Sequence, residues 1–242
     1  MQPSKTPYFF VVGNEKGGAG KTTCCMHLIC SLLDHGFTVA SIDADVRQRS
    51  LTRYIQNRTD YNAINADNKV PEPTHFTLDE SKAQNIEERD SQETQIFEEV
   101  LAKIDSKFDI VVIDTPGSSS HYSRLAHACA NTVITPINDS FIDLDLIARI
   151  NPKDFSVIAP SIYSEMVWKQ KMVKMQKTGK SMEWILMRNR LASVESTNKK
   201  NMSVALESIS KRLGIKVAPG FSERVIFREL FLQGLTLSLI HI

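Results

Sequence analysis

Apolar positions along this chain follow two different periods. Tyr8–Gly13 (YFFVVG), Phe37–Ile42 (FTVASI), Phe108–Ile113 (FDIVVI), Thr132–Pro136 (TVITP) and Trp184–Met187 (WILM) are short apolar runs. They are too short for helices and rich in β-branched and aromatic residues, so they predict buried strands. Between them the spacing turns helical. Lys21–His35 carries Leu28, Leu32 and Leu33 on one face and is closed by Gly36, and Ile96, Val100 and Ile104 mark a helix over Ile96–Ile104. Further helices are expected at Val46–Gln56, Tyr122–Ala130, Met166–Gln176, Ser203–Leu213 and Glu223–Leu232, with a short strand at Ile215–Val217. Strands alternating with helices predict an α/β fold, a mostly parallel central sheet covered by helices on both faces. One domain is expected to fill 1–242. The stretch from Asn57 to Glu93 lacks a clear period and holds Pro71 and Pro73, so it reads as a partly irregular excursion.

Composition adds little until it is resolved along the chain. With 42% hydrophobic and 24% charged residues in 242, the chain can bury a full core and reads as an ordinary soluble protein. No apolar stretch reaches the ~18–20 residues of a membrane span, and MQPSKTPYFF has no signal-peptide core. Cys24, Cys25, Cys30 and Cys129 form no CxxC pair. They are expected to be small buried side chains in a reducing cytoplasm rather than metal or disulfide positions. The net charge of +1 hides an asymmetry. Residues 60–109 hold 13 acidic and 5 basic side chains, and residues 169–228 hold 14 basic and 4 acidic ones. That pattern suits either an anionic partner of the C-terminal third or solvated helix faces.

The first strand runs into NEKGGAGKTT, residues 14–23. A glycine-rich turn opening a helix binds phosphate through backbone N–H groups and the helix dipole. Gly17, Gly18, Ala19, Gly20, Lys21, Thr22 and Thr23 therefore form the candidate ATP-binding loop. Lys21 is placed to reach the β- and γ-phosphates and Thr22 to ligate Mg²⁺. Asp114 ends the FDIVVI strand, in DTPG, and is a second candidate for holding Mg²⁺. Counting back from Gly20, however, puts Glu15 where the usual phosphate-loop pattern has its first glycine, and Lys16 beside it is surplus to that pattern.

The K-G-G-A-G-K-T order is similar to the deviant Walker A motif of the ParA/MinD superfamily of dimerising P-loop ATPases. That resemblance implies that Lys16 acts catalytically across a dimer interface, on the nucleotide of a second copy. It also implies that Asp45 positions the attacking water, that Asp43 supports the Mg²⁺ shell, and that Asn189 contacts adenine. Where the family often has DxDPQ, this chain has Asp45-Val46-Arg47-Gln48. The blocks DADVRQRS, TPINDSFIDLDLI, PSIYSEMVW, RNRLA and ERVIFRELF resemble, more narrowly, the MipZ family of division-plane positioning ATPases. Membership would imply an ATP-driven homodimer that hydrolyses ATP slowly, binds nonspecific double-stranded DNA, answers to ParB and inhibits FtsZ assembly. Its location would be cytoplasmic and nucleoid-associated.

The basic C-terminal third suits the DNA expectation, because lysine and arginine contacts to phosphate dominate nonspecific affinity. The candidates are Lys199, Lys200, Lys211, Arg212 and Arg224, with Lys171, Lys174 and Lys177 as weaker ones. Lys211 and Arg212 equally suit the C-terminal dipole of their helix. Alternatives from the same superfamily are a ParA-type partition ATPase and a MinD-like membrane-cycling ATPase. The final ELFLQGLTLSLIHI has no basic residue after Arg228 and is interrupted by Gly234, unlike a basic amphipathic anchor, so no membrane partner is expected. A metabolic P-loop enzyme with an iron–sulfur bridge lacks the cysteines, and a nucleotide-dependent scaffold without turnover is a further alternative. The apolar LTLSLIHI reads as a truncated end.

Overall fold

Alternate residues of a strand face opposite sides of its sheet, and here each side buries a separate core. Val11, Val111, Ile113, Val133, Trp184 and Leu186 pack on one side, whereas Val12, Ile110, Val112 and Ile134 pack on the other. The computed structural model describes residues 6–191, 197–222 and 224–239. Within them the order is β1 (Tyr8–Val12), α1 (Lys21–Asp34), β2 (Val39–Asp43), α2 (Ser50–Ile64), β3 (Thr74–Thr77), α3 (Ile86–Ile104), β4 (Ile110–Asp114) and α4 (His121–Cys129). There follow β5 (Thr132–Asn138), α5 (Phe141–Leu144), β6 (Ala148–Ile150), β7 (Val157–Pro160), α6 (Ile162–Thr178), β8 (Glu183–Asn189), α7 (Thr197–Leu213), β9 (Lys216–Ala218) and α8 (Ile226–Gln233).

Seven strands form one sheet in the order β3-β2-β4-β1-β5-β8-β9, every neighbouring pair parallel. Residues of α1 and α2 line one core, and those of α3, α4, α6 and α7 line the other. This is the expected α/β architecture. β1 lies between β4 and β5, so the strands fan outward from the one that feeds the glycine-rich turn. Ligands of such sheets bind at the carboxyl ends of the strands, where the chain order switches.

The Asn57–Glu93 stretch differs from expectation. α2 continues to Ile64, β3 pairs with β2, and α3 begins at Ile86. The two helices present mostly charged and polar residues to solvent, and β3 (THFT) is four residues at the sheet edge, so neither period is obvious. The β6–β7 antiparallel hairpin and the one-turn α5 were also not foreseen. Helix α8 starts at Ile226, and Glu223, the expected first residue, lies outside the described residues. The three cysteines of α1 are buried and Cys129 is half-buried. Burial pushes the thiols of Cys24 and Cys129 up to about 12, which leaves them unreactive. No described helix is long and apolar enough to cross a membrane.

Candidate nucleotide site

The site is built where β1, β2 and β4 end. Val12 and Asp43 both sit in register with Asp114, which brings the two carboxylates to the mouth of the glycine-rich turn. The turn is held from both sides. Asn14 donates its amide to the Pro136 carbonyl at 2.7 Å and accepts the Lys16 N–H at 2.9 Å. Gly20, immediately before α1, has φ +89°, and its α-hydrogen face is filled by the Asn189 amide. The first turn of α1 thus opens with no side-chain cap and no acidic side chain, the arrangement that favours an anion.

Lys21 folds back to donate to the Lys16 carbonyl at 2.9 Å. Burial pulls its ammonium below the usual lysine range, and the nearby Asp114 and Asp45 oppose that. Thr22 donates its hydroxyl to Asp114 Oδ2 at 2.6 Å, while Asp114 Oδ1 is buried with no partner. Burial raises the Asp114 carboxyl to about 7; the Thr22 bond lowers it and the Asp43 charge raises it further. An orphaned, desolvated carboxylate oxygen beside a threonine hydroxyl fits a hydrated Mg²⁺, which prefers one or two protein oxygens and keeps several waters. The cleft has a volume of about 1110 Å³, enough for a nucleoside triphosphate.

The acidic pair on β2 is already engaged. Asp43 Oδ2 accepts from the Thr52 N–H and hydroxyl, each at 2.9 Å, and Oδ1 accepts from the Asp45 N–H at 3.1 Å. Asp43 therefore organises the loop; with both oxygens occupied it is poorly placed for direct metal ligation. Asp45 lines the cleft and caps the following turn through the Arg47 and Gln48 N–H groups at 3.3 and 3.0 Å. Lys16 lies elsewhere: its ammonium pairs with Asp143 Oδ1 at 2.6 Å, and Asp143, itself buried, takes the Asn138 N–H on its other oxygen. Asn189, expected on adenine, donates to the Ala19 carbonyl at 2.9 Å and so braces the phosphate loop.

Several cleft residues were missed in the sequence. Phe231 and Arg190 line one part of the cleft, and His121, Arg124 and Asp90 line another, bonded to each other. Asp143 and Phe231 belong to stretches quoted above for their resemblance, FIDLDLI and ERVIFRELF, but nothing in the spacing marks their contacts. Of the expected DNA contacts, Lys200, Lys211, Arg212 and Arg224 are exposed, and the Lys199 side chain lies outside the described residues. Lys211 pairs with Glu207 at 2.8 Å. Lys174 departs from expectation: it is buried and donates to the Cys129 and Ala130 carbonyls, neutralising the end of α4. Among the described residues no cluster of metal-ligating side chains suits an iron–sulfur or zinc centre.

Comparison with known proteins decides the family. The family model described as ATPase MipZ matches residues 8–241. The chain belongs to the MipZ ATPase family. The VirC1 protein of Rhizobium radiobacter is 30% identical over 130 residues, covering 54% of this chain and 48% of that protein. This MipZ-family chain thus spans about half the length of that curated relative. Among solved structures, the ATP complex of a variant of Cyanothece McdA superposes with a TM-score of 0.65 at 16% identity, covering 98% of this chain and 91% of the other. The septum site-determining protein MinD of Pyrococcus horikoshii, complexed with Mg-ADP, gives 0.58 at 20% identity over 95% and 86%. At these identities the likeness carries the fold, which is that of the ParA/MinD-type P-loop ATPases.

Proposed function

We propose that this MipZ-family protein binds ATP with Mg²⁺ and hydrolyses it slowly, as an ATP-dependent homodimer that regulates division-site placement. The observation that carries the nucleotide reading is the Thr22–Asp114 pair, with its orphaned Oδ1, at the mouth of an anion-binding helix. In this reading Lys21 and the loop Gly17–Thr23 hold the phosphates. Thr22 and Asp114 hold Mg²⁺, Asp43 steadies the metal shell from behind, Asp45 positions water, and Asn189 meets the base from its seat on the loop. The metal supplies charge for the transferring phosphoryl oxygens. Lys16 is absent from the cleft lining and is held on Asp143, which supports a use for it on the nucleotide of a second copy.

The finer reading is that the ATP dimer binds DNA without sequence preference, answers to ParB and restrains FtsZ assembly in the cytoplasm, near the nucleoid. The exposed Lys200, Lys211, Arg212 and Arg224 support the DNA part, and dimerisation would double that basic surface. Size-exclusion chromatography with ATP tests the core of it. A nucleotide-dependent dimer is expected for wild type, lost in Lys16→Ala and persistent in Asp45→Ala. A wild type that stays monomeric with every nucleotide overturns the reading. For the DNA part, retention by the ATP-loaded dimer should fall steeply with salt, and its absence at low salt would remove that claim.

A further inference from the structure

The carboxylate of Asp43 is the end of a hydrogen-bonded chain that begins on the edge strand. His75, in β3, lies with Nδ1 2.8 Å from the Ser41 hydroxyl and Nε2 3.0 Å from the Thr52 hydroxyl. Thr52 commits its own hydroxyl proton to Asp43 Oδ2 at 2.9 Å, so it must accept from His75 Nε2–H. Nδ1 then carries the lone pair and accepts from Ser41. Only one tautomer satisfies every member. All the donors point the same way, from Ser41 through His75 and Thr52 to Asp43, an arrangement in which each bond polarises the next. Ser41 and Asp43 are buried. Burial also holds the His75 ring down to about 4, which keeps it neutral near pH 7. On its other oxygen Asp43 takes the Asp45 N–H, so what fixes Asp43 also fixes the loop that presents Asp45 to the cleft.

We propose that His75 is a positioning residue for ATP hydrolysis, acting through Thr52 to hold Asp43 and, through it, the backbone at Asp45. The inference rests on the reading of Asp45 as the residue that orients the attacking water. His75 itself reaches neither the cleft lining nor a phosphate-binding group, so its effect falls on turnover rather than on nucleotide affinity.

The test uses the full chain with His75→Leu, His75→Gln, Thr52→Val and the His75→Leu/Thr52→Val pair. A side-chain misplacement of this kind lowers kcat by about tenfold, with the Kd for ATP left near wild type. His75→Gln keeps an N–H for Thr52 and should restore most of the turnover. The double variant should be no slower than the worse single one, because both break the same chain. Hydrogen exchange of the 43–49 segment, measured without nucleotide, should quicken in His75→Leu and Thr52→Val and stay slow in His75→Gln. Full turnover with unchanged exchange in His75→Leu overturns the proposal, as do effects of the two single variants that multiply. A wild type without turnover overturns the hydrolysis reading and this use of the chain with it; the exchange result then still decides whether His75 holds the loop.

Discussion

Gly20 shows how tightly the phosphate loop is specified at single residues. Its φ of +89° lies where residues with a Cβ are strained, and a Cβ built there stands 2.2 Å from the Asn189 amide nitrogen. Gly20→Ala therefore faces both a backbone penalty of about 1–3 kcal/mol and displacement of the side chain that braces Ala19. ATP affinity, measured with a fluorescent analogue, should fall by about tenfold or more, and the melting temperature should drop with it. Gly18 makes a contrast: its φ is +74°, yet open space surrounds it, so Gly18→Ala should suffer from strain alone. At Asp114 the orphaned Oδ1 gives a separate expectation. Asp114→Asn keeps a partner for Thr22 but removes the charge, so the Mg²⁺-dependent part of ATP binding should disappear while the Mg²⁺-independent part remains. Titration of nucleotide affinity with and without a chelator separates the two.

At the scale of elements, α2 joins the acidic loop to the C-terminal helix. Tyr54 and Asn57 of α2 donate to the Leu235 and Phe231 carbonyls at 2.8 Å each. Arg58, 1% exposed, donates to the Pro71 carbonyl at 2.7 Å and the Gly234 carbonyl at 2.9 Å. A guanidinium at the C-terminus of α8 meets the negative end of its dipole, and Gly234 has no room for a side chain because the Arg58 backbone presses on it. Arg58→Met conserves bulk and removes the guanidinium from the buried Gly234 carbonyl and the part-buried Pro71 carbonyl. It should cost at least about 2 kcal/mol in urea unfolding. Arg58→Lys should not rescue it, since a single ammonium cannot reproduce the fork. None of this was legible in the sequence. The sequence reads as helix only to Gln56 and as an irregular stretch from Asn57, because the carbonyls that Tyr54, Asn57 and Arg58 reach at the end of α8 lie at the far end of the chain. What the sequence did display is the machinery that a short local motif marks: the glycine turn, its lysines, Thr22, and carboxylates at strand ends, although Thr22 and Lys16 find their partners, Asp114 and Asp143, far along the chain. Strand β3 escaped for a related reason. It is short and polar and pairs on one side only, so it leaves no apolar run, although its His75 anchors the Asp43 chain.

Over the whole molecule, buried ionisable groups pull the pH dependence of stability in opposite directions. His127, wholly buried, donates to the Ser123 carbonyl and packs beside Tyr163, whose hydroxyl donates to the Gly13 carbonyl behind the phosphate loop. Burial brings its ring down to about 4, as it does for His75. Between the ordinary histidine value near 6.5 and about 4, the unfolded chain binds protons that the folded one refuses. The contribution of these two rings is therefore complete above about pH 6.5 and is lost as pH falls through that window. Asp114 has the opposite sign. Raised to about 7, it favours the nucleotide-free fold below the ordinary carboxylate value and loses that contribution as pH rises through 7. Wild-type unfolding curves mix the two, so variants must separate them. His127→Gln should be less stable than wild type at pH 7.5, because the cavity behind Gly13 is shaped to the ring. The gap should narrow by about 2 kcal/mol by pH 5, since the wild type loses up to about 1.4 kcal/mol per pH unit at this site and glutamine does not titrate. Asp114→Asn should instead gain stability relative to wild type as pH rises from 6 to 8. Denaturant unfolding of the nucleotide-free protein at pH 5, 6, 7 and 8 measures both, and a pH-independent gap for His127→Gln would show that the ring is not held neutral by burial.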